Sequence, residues 1–303
     1  MERRRDEWED QLRHWAEGPG DTEHEQCENA ERVVREAIFA HDGLRALRND
    51  VEVFSQGSFR NGTNIPHKSR VDVSVCFKRH YLYTLPLGGL ASDFRIGPPS
   101  FSYDAYRNTI TKALRNYFGS ESITIGNKSI RVHSNAYRID MNVVPDWEHV
   151  EFFDLDDVSD VRKGVAFLER IASRMIVSYP KEHVACVLEK NRLTGGRFKR
   201  IVRVLKSLRG EMSEKRLINE SLPSFLIESL AYNTPKANFE GGSYYTDTYN
   251  TLLYLVTWTQ AEPRNVSKWV EANDIKFLFR PSQRWDPIQC HAFLSRALDY
   301  ISA

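Results

Sequence analysis

The sequence predicts an α+β chain of two lobes, a mixed-sheet lobe followed by a mostly helical one. Three observations carry this. VEVFSQGSF (51–59) breaks the preceding helical period with a short strand running into a Gly-Ser turn. RVDVSVCF (70–77) alternates, with Val71, Val73, Val75 and Phe77 on one face and Arg70, Asp72, Ser74 and Cys76 on the other. Beyond about residue 180 the apolar residues recur mainly at helical spacing. The expected boundary falls near the acidic stretch after Pro145, giving an N-lobe of residues 1–160 and a C-lobe of 161–303.

In chain order, Trp8, Leu12 and Trp15 make one apolar stripe on a helix over 2–17. Ala30, Val33, Val34, Ala37, Ile38 and Leu44 continue helically over 22–48. After the two strands, 84–101 reads as a loop rich in Gly, Pro and Ser. YDAYRNTITKALRNYFG (103–119) is an amphipathic helix closed by Gly119. Three β-rich stretches follow, at 122–125, 129–133 and 138–147. EHVEFFDLDDVSD (148–160) holds six acids and no Lys or Arg, and reads as a solvated loop. Helices are expected over 178–196, ending at a Gly-Gly break, then 197–212, 223–235 and 248–259. Trp8, Trp15, Phe225 and Trp258 are expected in the core, and His133 and His183 as structural residues.

With 303 residues the chain can bury a sizeable core. Hydrophobic residues make up 41% and charged residues 27%, which excludes chain-wide disorder and low-complexity architectures. The net charge of +1 gives no general attraction to nucleic acid or to a membrane surface. Cys27, Cys76, Cys186 and Cys290 lie far apart without metal-ligand spacing, so reduced thiols and a cytoplasmic setting are expected. The charged start MERRRDEWEDQLRHW lacks an apolar segment and does not read as a secretion signal, and no apolar run is long enough to span a membrane.

The chemistry concentrates in Gln56-Gly57-Ser58-Phe59-Arg60-Asn61-Gly62-Thr63-Asn64 and the strand that follows. A Gly-Ser turn after a strand exposes N–H groups and a hydroxyl suited to phosphate oxygens, with Asn61 and Thr63 close by. Acids at alternate strand positions can hold divalent ions beside such a phosphate. A later strand places Arg138, Asp140 and Asn142 on one face. Phosphate cradle, metal acids and a flanking strand are what two-metal nucleotidyl transfer requires.

GSFRNGTN, then S-x-V-D-V, then D-x-N-V-V-P resembles the nucleotidyltransferase superfamily. More narrowly, the chain is similar to the bacterial cyclic-oligonucleotide synthases, relatives of cyclic GMP–AMP synthase. Tyr179-Pro180-Lys181-Glu182-His183, the helix from Phe198 to Lys206, and Pro223-Ser224-Phe225-Leu226-Ile227-Glu228 look like that family's helical lobe, so the resemblance covers roughly residues 30–260. It implies a two-lobed nucleotidyltransferase fold with nucleoside triphosphates bound between the lobes. It also implies Mg²⁺ or Mn²⁺ as cofactor, and a role in antiphage signalling with a downstream effector or regulatory protein. Lys206 and Ser224 stand where the family contacts the triphosphate. Arg203 lies near the edge of the same helix face, and Tyr179 reads either as a packing residue or as a base-stacking one.

The departures are specific. In this register the family's Asp-x-Asp falls at Arg70 and Asp72, and its third acid at Asn142. Only Asp72 is retained, and Arg70 brings positive charge to a cation site, a repulsion of about 1 kcal/mol or more at ~4 Å. Asp140 is the candidate for a shifted third acid. The expected catalytic pair is therefore Asp72 and Asp140, with Asn142 as a neutral oxygen donor and Arg70 as a direct phosphate contact. Two functions stay open at this point: a Mg²⁺-dependent synthase of a cyclic or linear oligonucleotide, or a nucleotide sensor that keeps the pocket without the chemistry. An RNA-binding scaffold, resting only on the basic helix 197–216, ranks last.

Overall fold

The computed structural model describes residues 5–66, 70–136, 138–155, 157–171, 174–218, 222–260 and 266–303. The chain forms two compact units. One contains residues 21–59 and 70–181 and is built on a mixed sheet. The other contains 1–20, 60–69 and 182–303 and is helical. This division replaces the boundary expected at 160/161 on two counts. The first helix belongs with the helical unit, and residues 161–178 extend the sheet.

In the sheet unit the main path runs β1 (Val51–Gln56), β2 (Val71–Thr84), β5 (Met141–Phe152), β4 (Ile130–Val132) and β3 (Ile123–Ile125). β6 (Val161–Leu168) also pairs with β5, and β7 (Met175–Ser178) pairs with β6. β2 and β5 are parallel; the other pairs are antiparallel. The alternation in 70–77 is realised, since Val71, Val73, Val75 and Phe77 are all buried in one core cluster. α2 (Asp21–Ala40) and α5 (Tyr103–Phe118) contribute Val34, Ile38, Ile110 and Leu114 to that core. Each such side chain is worth about 1.5–3 kcal/mol of apolar burial. Ser102 caps α5 by accepting from the Ala105 amide, and Gly119 ends it at φ 87°. The short helix α3 (Asp42–Arg45) leads into β1.

Pro145 does not end β5, which runs on to Phe152, so residues 148–152 are strand where a loop was expected. On the edge of β5 facing away from β2, β4 pairs as far as Val143 and β6 begins at Trp147. The missing proline N–H falls in that gap, where no ladder bond is lost.

In the helical unit, α1 (Arg5–Ala16) packs on α7 (Arg197–Glu214) and α9 (Tyr244–Gln260), burying Trp8 and Leu12. Phe198, Ile201, Val202, Leu205 and Leu208 of α7 are buried as their spacing predicts. α6 (Pro180–Leu193) runs into Gly195 and Gly196, both at positive φ. α8 (Ser224–Tyr232) and α10 (Pro287–Ser302) complete the bundle, α10 starting with a capping box between Asp286 and Gln289. Trp258 departs from expectation: it is 41% exposed. Among the described residues, no helix is long and apolar enough to cross a membrane.

Candidate active site

β1 and β2 form an antiparallel pair that places Gln56 opposite Asp72. α4 (Gly57–Asn61) starts directly after β1, and Gly57 adopts φ 72°. A Cβ built on Gly57 would lie 2.7 Å from Asp72 Oδ2. Both the left-handed backbone and the close approach require glycine here. On the other side, the parallel register sets Asn142 of β5 beside Asp72, and the Asn142 amide donates to Asp72 Oδ1 at 2.9 Å. Asp72 is half-buried at the join of the Gly-Ser turn and two strands. Burial pushes its carboxyl above the ordinary range, while the Asn142 hydrogen bond and the Arg70 charge pull it down. A carboxylate in this state gains from a further cation.

Asp140 stands just before β5, where its carbonyl accepts from the Val71 amide. Its carboxylate is taken by an ion pair with Arg131, by the Ser134 amide and, at 3.6 Å, by Arg70. Although burial works to raise it, Arg131 and the Ser134 amide outweigh that and hold the Asp140 carboxyl below its usual value. Asp140 is thus paired with arginines rather than left open toward Asp72. Among the described residues, no cluster of three or more His, Cys, Asp or Glu side chains is arranged to hold a metal ion. One carboxylate, one amide and a flanking guanidinium do not fit a resident two-ion centre.

A model of the C-terminal helical domain of cGAS/DncV-like nucleotidyltransferases matches residues 186–302. Over nearly its whole length the chain is similar to the cyclic dipyrimidine nucleotide synthase CdnE of Legionella pneumophila. The two are 34% identical over 298 residues, 97% of this chain and 98% of the relative. The chain belongs to the CdnE family of nucleotidyltransferases. A second CdnE of the same description, from Cecembia lonarensis, is 31% identical over 94% of this chain and 95% of its own. The solved structure of Rhodothermus marinus CdnE c-UMP-AMP synthase with Apcpp and Upnpp superposes with a TM-score of 0.81, at 25% identity over 97% of this chain and 94% of that one. Elizabethkingia meningoseptica CdnE cyclic dinucleotide synthase with GTP and Apcpp gives 0.80, at 27% identity over 97% and 99%. The predicted family and α+β fold are thus both found.

The expected nucleotide contacts are shared between the two units. Gly57, Arg70, Asp72 and Asn142 gather around the β2 start, with Ser58 following Gly57 in α4. Asn61, Thr63, Arg203 and Lys206 gather instead in the helical unit, around Glu228 of α8. Glu228 accepts from Asn61 at 2.7 Å, from Thr63, and from Lys206 at 3.0 Å, and pairs with His183 at 2.8 Å. The Lys206 ammonium also donates to the carbonyl and hydroxyl of Thr63, at 3.0 Å each. Its three N–H groups are thereby used, and the side chain is 2% exposed. Arg203 donates to the carbonyls of Ala16 and Gly62. These residues hold the 60–66 segment against the helices.

Burial works against ionised Glu228, but the Lys206 charge and the His183 hydrogen bond keep its carboxyl far below the ordinary range. Burial likewise lowers the Lys206 ammonium, with Glu228 opposing. Ser224 opens α8, and its hydroxyl accepts from Arg209 at 3.3 Å. Tyr179 is buried, with its hydroxyl donating to Glu151. Glu228 was the missed residue. Its signal is a lone acid in the apolar string SFLIESLAY.

Proposed function

We propose that this chain is a nucleotidyltransferase that joins two nucleoside triphosphates into a cyclic dinucleotide, with each substrate carrying its own Mg²⁺. The carrying observation is the arrangement at Asp72: a partly desolvated carboxylate with left-handed Gly57 pressed against it and Asn142 hydrogen-bonded to it. In each of two steps a 3′-hydroxyl oxygen attacks an α-phosphorus, the α–β bridging P–O bond breaks, pyrophosphate leaves and the hydroxyl proton is released. Such transfers need mainly positioning and charge neutralisation. Asp72 supplies the carboxylate that would meet a cation brought by the substrate, Asn142 fixes its orientation, and the turn at Gly57 and Ser58 receives phosphate oxygens. Arg70, about half exposed and only loosely paired with Asp140, supplies positive charge for the triphosphate in place of an acid.

Relatives matched over almost the whole chain are synthases, which weighs against the catalysis-free sensor. Both of those relatives are described as dipyrimidine synthases, so CTP and UTP are the first substrates to supply. The test incubates the protein with Mg²⁺ and each pair of α-³²P-labelled nucleoside triphosphates, then treats with phosphatase. Closure of the ring leaves no terminal phosphate, so a labelled product resists the enzyme. Release of all label as inorganic phosphate for every pair, in Mg²⁺ and in Mn²⁺, would overturn the reading.

A further inference from the structure

Away from Asp72, the sheet unit carries a second concave site. β2 and β5 pair in register as far as Phe77 and Trp147 and resume at Tyr81 and Glu148, so residues 78–80 bulge out of the ladder. Large bulges re-aim side chains and concentrate beside functional sites. Facing this bulge is a turn closed by Arg95 at φ 55°, with Arg95 N–H bonded to the Ser92 carbonyl and Ile96 N–H to that of Ala91. That left-handed position favours glycine, and a side chain there costs about 1–2 kcal/mol. Between the bulge and the turn lies a cavity of about 430 Å³ whose walls include Arg79, Tyr81, Tyr83, Arg95, Ile96 and Trp147. The Arg95 guanidinium has no hydrogen bond or ion pair among the described residues, and Arg79 reaches only Asp50, at 3.7 Å. The cavity volume falls in the ~300–1,000 Å³ range of small-molecule sites.

From this geometry we infer a second ligand site for a nucleoside monophosphate, a planar ring carrying phosphate. Tyr81 and Tyr83 offer ring faces and edges to a base, buried Trp147 closes the wall behind them, and two guanidinium groups suit a phosphate. Along β2 the site stands roughly 20 Å from Asp72, at ~3.3 Å per paired residue. It is independent of the catalytic reading above. The strained arginine, kept where glycine would relax the turn, ties the backbone cost to the pocket.

Calorimetric titration of the full chain with AMP, GMP, CMP, UMP and inorganic phosphate tests this. At least one monophosphate should bind, with affinity falling tenfold or more in Arg95→Gly and in Arg79→Ala, and unchanged in Asp72→Asn. Arg95→Gly should also melt no lower than the parent, because it relieves the turn. Absence of binding by all four monophosphates at millimolar concentration overturns the proposal. So does binding that survives both arginine changes, or that is lost with Asp72→Asn, which would place the ligand at the first site. Inorganic phosphate binding as tightly as the monophosphates overturns it too, because the base would then add nothing to recognition.

Discussion

Gly57 and Asp72 are set so close that a single added Cβ would meet the carboxylate at 2.7 Å. The turn that presents the Ser58 hydroxyl and the strand that presents the acid are therefore one rigid device. Gly57→Ala should lower turnover at least tenfold, because the carboxylate and the left-handed turn both have to shift. Steady-state assay with circular dichroism as a fold check would measure it. A variant with native turnover would show that the close approach has no catalytic consequence.

The Lys206–Glu228 pair gives a second prediction. Removing one member of a buried pair strands the other charge, at about 3–5 kcal/mol. Lys206→Met and Glu228→Gln should each lower stability by that order in urea unfolding. The double variant should lose less than the sum, because no charge is left uncompensated. A Lys206→Met protein of native stability with raised KM for nucleotide would instead return Lys206 to the triphosphate.

Asp146 predicts a pH effect. It is wholly buried beside Ser74, which donates to both its oxygens at 2.8 and 3.0 Å. Burial pushes its carboxyl up to about 8, against the Ser74 and Cys76 hydrogen bonds. The folded chain keeps this proton over a window in which the unfolded chain, titrating near ~4, has lost it. Its contribution to stability is thus complete below about pH 4 and drains away as pH rises to about 8. Asp146→Asn removes that loss. Its stability relative to the parent should climb from pH 5 to pH 8, by at most about 1.4 kcal/mol per unit. Urea unfolding at pH 5, 6.5 and 8 reads the slope; a flat difference would mean Asp146 is ionised in the folded protein.

Much of this was legible in the sequence. The alternation in 70–77, the stripe from Phe198 to Leu208 and the Gly119 stop translate directly into β2, α7 and the end of α5. The contact of Gly57 with Asp72 was not legible, because residues 57–70, with α4 among them, separate β1 from β2 and nothing in that stretch sets the register that places Gln56 opposite Asp72. β6 and β7 were not legible: Val161–Leu168 is half-exposed along much of its length and interrupted by Lys163 and Gly164, so it shows no clean alternation. Nor was the fate of Lys206. Its helical position was right, but whether its ammonium meets a ligand or a buried carboxylate depends on Glu228, which comes from another helix. The pairing of Asp140 was hidden for the same reason, since Arg131 reaches it from β4.

In the proposed reaction Asp72 is the one carboxylate, among the described residues, placed at the reacting phosphates. Product formation by Asp72→Asn and Asp140→Asn, each compared with the parent in the labelled-nucleotide assay, tests this most directly. Loss of all product in Asp72→Asn, with the fold intact and product still made by Asp140→Asn, is the predicted result. Product from Asp72→Asn at the parent rate would contradict it.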